Sequence, residues 1–151
     1  MPLAHMDTAN SLNKRKFYRH PVNVPIQFQE LSAKTLQRSE SVDISEGGIC
    51  FMADKFLAKG VTVSLSIPVQ DTVFKITGMV AYCNRVASVN RYRTGIAFQD
   101  QNAAFRAKLA EQMLEIKKYQ TNSVKLGKNL SEEDAAREWI AKYAKHFSNL
   151  F

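Results

Sequence analysis

The chain predicts a mainly β fold: a small barrel or sandwich of about six short antiparallel strands, followed by two C-terminal α-helices. Three observations lead there. Apolar residues alternate with polar ones at a period of two from Val22 to Phe98; turn residues punctuate that run with no helical stretch inside it; and the period becomes helical from Asn102.

Val22, Val24, Ile26 and Phe28 alternate with Asn23, Pro25, Gln27 and Gln29, so one face of the first strand is buried. Pro25 has no ladder donor and belongs at an edge, a bulge or a strand start. Leu31 to Ser41 is polar, with an early turn and a return strand into Val42 to Ser45. If that end is extended, Val42 and Ile44 point inward while Asp43 and Ser45 share the outer face. Gly47 and Gly48 tolerate the positive φ of a tight hairpin and let a ligand approach the backbone. Ile49 to Ala53 forms the third strand, and Asp54 to Gly60 a loop. Val61, Val63, Leu65, Ile67 and Val69 give the cleanest strand, and Gln70-Asp71 the next turn. Phe74, Ile76, Val80 and Tyr82 continue the inward phase, with Gly78 a candidate bulge. After a turn over 84–90, Tyr92, Thr94, Ile96 and Phe98 face in, with Arg93, Gly95 and Ala97 opposite.

Phe105, Leu109, Met113 and Ile116 make the stripe of a first helix, whose negative end Lys117-Lys118 suit; the pattern breaks over 121–129. Ser131 is an N-cap ahead of Glu132, Glu133 and Asp134, and Ala136, Trp139, Ile140, Tyr143 and Phe147 line a second helix. Met1 to Asn13 lacks periodicity and predicts a mobile arm, with 1–5 resembling an appended leader ahead of Met6. The expected organisation is arm 1–13, barrel 14–100 and helical extension 101–151.

At 151 residues, 45% hydrophobic, the chain can bury a core. No window reaches the roughly 20 apolar residues of a membrane span and no secretory pattern opens the chain, which predicts a cytoplasmic protein. Cys50 and Cys83, both in predicted strands, read as reduced core thiols. His5, His20 and His146 have no ligand-spaced neighbours and read as surface residues, so neither a metal site nor a nucleophile relay is visible. The expectation is a protein that is not an enzyme and holds no cofactor or metal.

A net charge of +7 favours an anionic partner. Lys14-Arg15-Lys16-Phe17-Tyr18-Arg19 concentrates it just before Pro21. In an extended segment, Arg15 and Arg19 can both wrap a compact anion, each with a planar fork that fits phosphate or the O6/N7 edge of guanine.

Two motifs together carry a resemblance. Arg15-Lys16-Phe17-Tyr18-Arg19 fits the arginine, any three, arginine motif of PilZ domains, with Lys14 replacing the arginine often found before it. Asp43-Ile44-Ser45-Glu46-Gly47-Gly48 fits their second motif: Asp or Asn, any, Ser, any two, Gly. Over 14–99 the chain thus resembles the PilZ family, bacterial receptors for cyclic di-GMP built on a six-stranded antiparallel β-barrel. The resemblance implies that Arg15 and Arg19 contact phosphates and guanine edges and that Asp43 accepts from guanine N–H groups. It also implies that Ser45 bonds the ligand or fixes the turn, and that Gly48 leaves room for a base, with Lys14, Gly47 and Gly95 as secondary candidates. The arm would fold over the ligand, and a protein effector or self-association through the C-terminal helices would read it. Two rivals remain: a nucleic-acid-binding barrel stacking bases on Phe17 and Tyr18, and a PilZ-like adaptor without nucleotide binding.

Overall fold

The computed structural model describes residues 18–100 and 102–148, with backbone alone for 143–148. The expected arm over 1–13, Lys14, Arg15 and the side chains of Tyr143 and Phe147 lie outside the described residues.

Six strands close into an antiparallel barrel: β1 (Pro25–Glu30), β2 (Gln37–Ile44), β3 (Gly48–Ala53), β4 (Thr62–Val69), β5 (Thr72–Val86) and β6 (Arg91–Phe98), arranged β1-β2-β3-β6-β5-β4. Closure joins β1 to β4 and leaves no long edge. The inward positions of the alternating pattern fill the interior: Ile26, Phe28, Ile49, Phe51, Val63, Leu65, Ile67 and Ile96 are all buried. Phe28 and Phe51 meet at its centre, rings 4.6 Å apart.

Pro25 opens β1, where its missing donor costs nothing. Before it, Val22 and Val24 keep the inward phase without a regular ladder, and a side chain replaces the missing backbone bonds. The buried Ser41 hydroxyl donates to the Val22 carbonyl and accepts from the Val24 N–H at 2.9 Å. His20 then pairs with Ile44 through two backbone hydrogen bonds of 2.8 and 2.9 Å, so the segment entering the barrel is stitched to β2 as far as His20.

Two bulges overturn the simple alternation. Between Ser41 and Asp43 the β2–β3 register shifts, so Val42 is an extra residue and is only half-buried, while Ser41 takes the inward place expected of Val42. The second shift lies between Val80 and Tyr82 of β5, at Ala81 and not at Gly78. It turns Tyr82 outward, against the expected inward phase, and brings the partly buried Cys83 against the core. A bulge re-aims every side chain beyond it, and periodicity alone does not locate one.

The first helix, α1 (Ala103–Lys125), is capped by Asn102, whose Oδ1 accepts from the Phe105 N–H at 2.9 Å. Phe105 closes one end of the barrel, edge-on to Phe74 and Phe98 at 5.5 Å each. Leu109 and Ile116 follow on the same face, as the stripe predicts. The helix runs beyond the expected break, so Lys117-Lys118 sit in its interior and Lys125 occupies the last turn. It stops at Gly127, with φ +87, where Gly127 N–H bonds to Val124 and Lys128 N–H to Ser123, a Schellman ending.

Ser131 Oγ accepts from Asp134 N–H at 3.0 Å and starts α2 (Glu132–Ser148), whose Ala135, Ala136, Trp139 and Ile140 are buried. The indole of Trp139 is therefore packed within the chain and not presented as a docking anchor. Among the described residues, no helix is long and apolar enough to cross a membrane.

Candidate functional site

The site lies beside the two bulges. Beyond them, Asp43 of β2, Cys50 of β3, Gly95 of β6 and Tyr82 of β5 stand in register, Asp43 opposite Cys50, Cys50 opposite Gly95 and Gly95 opposite Tyr82. These four residues make one row across the outer face of the barrel. Without the shift at Ala81, Tyr82 would turn to the interior; Asp43 keeps the outer face that alternation predicts, and the shift at Val42 is taken up on the Ser41 side.

Gly95 is the low point of the row. A methyl there would lie within the Tyr82 ring, so the ring rests directly on the glycine backbone. The Tyr82 hydroxyl and the Cys50 thiol are hydrogen-bond partners. Burial pushes the Cys50 thiol above its ordinary range, offset by the Tyr82 hydrogen bond and by the charges of Arg93 and Arg19. Burial likewise raises the Tyr82 phenol, with Cys50 adding to the rise and Arg19 and Arg93 opposing it. The charges of Arg19 and Arg93 thus reach the same pair of side chains from different elements, one from the entering segment and one from β6. Asp43 is the carboxylate beside them, its Oδ2 3.8 Å from Arg93 Nη2.

The turn after Asp43 is held by its own serine. Ser45 N–H donates to the Gly48 carbonyl at 2.9 Å, and Ser45 Oγ accepts from Gly47 N–H at 3.2 Å and lies 3.4 Å from the Gly48 carbonyl oxygen. With Ser45 buried, its hydroxyl is committed to the turn. Neither Gly47 nor Gly48 uses a positive φ, contrary to the hairpin expectation. Gly48 is demanded by close approach instead: a Cβ would collide with the Ile96 carbonyl of β6. Gly47 accepts from Phe98 N–H at 2.9 Å, which ties the turn to the end of β6. At the tip, Glu46 accepts from Arg106 Nε of α1 at 2.9 Å.

The entering segment separates two surfaces. The charge of Arg19 reaches the row, whereas Tyr18 and His20 on either side of it contact the helices. Tyr18 donates to Glu132 at the start of α2, at 2.9 Å, and His20 Nδ1 lies 3.9 Å from the same carboxylate. His20 is therefore half-buried and engaged, not the free surface histidine expected. Behind these residues lies a cleft of about 460 Å³, lined among others by Glu46, Arg106, Met113, Leu114 and Lys117.

Of the residues singled out from sequence, Arg19, Asp43 and Gly95 converge on the row, and Ser45, Gly47 and Gly48 form the adjoining turn. Lys14 and Arg15 lie outside the described residues. Sequence reasoning missed Tyr82, because the Ala81 bulge leaves no signature in composition. It also passed over Arg93, although a guanidinium two residues from Gly95 on the same strand face was there to be read.

Comparison with curated proteins finds no match. Among solved structures, the chain is similar to the Bacillus subtilis inhibitor of motility MotI/DgrA (TM-score 0.54, 16% identity, 69% of this chain and 52% of that one). It is also similar to Escherichia coli YcgR in complex with c-di-GMP (TM-score 0.60, 14% identity, 76% of this chain and 51% of that one). The PilZ domain of YcgR with c-di-GMP matches over 76% of this chain and 98% of that domain, at TM-score 0.55 and 15% identity. The chain thus spans about half the length of MotI/DgrA and of YcgR. A family model described as the PilZ domain matches residues 13–115, which takes in the barrel, the row and most of α1. By that match and by its closed six-stranded barrel, the chain belongs to the PilZ domain family.

Proposed function

We propose that the protein is a cytoplasmic cyclic di-GMP receptor without catalytic activity, which passes nucleotide binding on to a protein partner. The observation that carries this reading is the row Asp43–Cys50–Gly95–Tyr82 on the outer barrel face, with Arg93 ion-paired to Asp43 and Arg19 near enough for its charge to act on Cys50 and Tyr82. A cyclic dinucleotide has two phosphodiesters and two purine faces. Arg15 and Arg19 supply guanidinium forks for the phosphates and guanine edges, Asp43 accepts from guanine N–H groups, and the half-buried Tyr82 ring, lying on Gly95, offers a face for a base. Ser45, Gly47 and Gly48 act by holding Asp43 at the head of a rigid turn, and Lys14 adds charge to the arm.

The output runs through the segment that carries Arg19. Its flanking residues Tyr18 and His20 touch Glu132 of α2, so a change in its position at the ligand face reaches the helices. Exposed Leu114, Val124 and Leu126 on and beside α1 offer apolar contacts for an effector or a second copy.

Calorimetric titration with cyclic di-GMP tests the reading. Arg15→Ala and Arg19→Ala should each remove most of the affinity, and Lys16→Ala little. Equal small losses from all three, or affinity that grows with oligonucleotide length and falls steeply with salt, would replace the receptor with a diffuse nucleic-acid surface. A wild-type protein silent toward the nucleotide would make it an adaptor acting through protein contacts alone.

A further inference from the structure

We infer that Arg93 is a further ligand-contacting residue: a guanidinium borne by a barrel strand that takes one phosphodiester of the nucleotide alongside Arg19. The inference rests on the receptor reading and assigns a role to a residue outside both sequence motifs.

Arg93 lies on β6 two residues before Gly95, on the same outer face, opposite Met52 and Asn84. Its side chain is 44% exposed, and Asp43 is 16% exposed. The Nη2–Oδ2 distance of 3.8 Å is an ion pair beyond hydrogen-bond reach, so the donors of the fork are not spent on Asp43. Among the described residues, the Arg93 guanidinium donates no hydrogen bond to a side chain or carbonyl of the barrel. Its charge acts on both Cys50 and Tyr82, as does that of Arg19. Among the described residues, two cations and one carboxylate thus act on this floor, an excess of positive charge that suits a ligand with two phosphates.

The two arginines differ in what their use costs. Arg19 sits where the chain enters the barrel, whereas Arg93 is borne by a strand paired on both sides, by β3 and β5. A donor held on a rigid element binds without the entropy of ordering a segment. Arg93 is thus in place before the arm engages, and Asp43 is released to the guanine N–H groups as the phosphate replaces it beside the guanidinium.

The rival role is positioning, in which Arg93 only orients Asp43. A double-mutant cycle separates the two. Arg93→Met keeps the stem and removes the fork; Asp43→Asn keeps a carbonyl acceptor for a base. Cyclic di-GMP is titrated calorimetrically into wild type, both single variants and the double variant, with thermal melts to establish that each is folded. The expected result is a loss of affinity of about tenfold or more for Arg93→Met, undiminished in the Asp43→Asn background, with Arg93→Lys recovering part of it. Wild-type affinity in Arg93→Met would overturn the inference and leave the receptor reading standing. A loss that vanishes in the Asp43→Asn background would overturn it in favour of positioning. If wild type itself does not bind, the receptor reading fails and the role of Arg93 fails with it.

Discussion

Tyr18 and Glu132, 114 positions apart, share a hydrogen bond of 2.9 Å that joins the segment entering the barrel to the first turn of the last helix. The phenol is held above its ordinary range, first by donating to that carboxylate and then by burial. Glu132→Gln should bring the Tyr18 titration back toward the ordinary phenol range, followed by the ring carbon signal of Tyr18 in NMR. An unmoved titration would mean that the contact is not formed in solution.

His20 gives the fold a pH dependence of known sign. Burial lowers its imidazole below the ordinary value of 6.5, with Glu132 and Glu46 pulling the other way. Between the lowered folded value and 6.5, the unfolded chain binds more protons, so stability rises with pH through that window. It is lost as pH falls from 6.5 toward the folded value. Urea unfolding at a series of pH values should show this slope in wild type and its absence in His20→Asn.

Ser41 ties the irregular segment ahead of β1 to β2 through its side chain. Its hydroxyl is fully buried and serves the Val22 carbonyl and the Val24 N–H together. Ser41→Ala leaves both groups buried without that partner and should cost about 1–3 kcal/mol in equilibrium unfolding. A cost near zero would mean that water reaches them.

Gly95 and Tyr82 make a single packed unit. Gly95→Ala forces the ring off the strand, since the new methyl would occupy the ring's place. The expected destabilisation is about 1–3 kcal/mol, with displaced Tyr82 ring signals. Unchanged ring signals would show that the backbone yields instead.

Phe105 anchors α1 to the barrel through Phe74 and Phe98. Phe105→Ala should cost about 3–5 kcal/mol, measured by denaturant unfolding. Leu114→Ala on the exposed face of the same helix should stay within about 0.5 kcal/mol. Similar losses at both sites would mean that the helix is not docked as described.

The sequence by itself determined the strands, their order along the chain, the two helices and the motif pair that marks the family. Those signals are local: period-two burial at Ile26, Leu65 and Ile96, turn residues at Gly60 and Gln70, and caps at Asn102 and Ser131. Tertiary structure alone decided which face Val42 and Tyr82 take, because a one-residue register shift depends on the partner strand and leaves alternation on either side intact. It also decided why Gly48 must be glycine, since the reason lies in the Ile96 carbonyl of a strand far along the chain. The contacts Arg93–Asp43, Glu46–Arg106 and Tyr18–Glu132 belong to the same class. Each joins residues remote in sequence, and only barrel closure and helix docking bring them within reach, so no pattern in one segment can announce them.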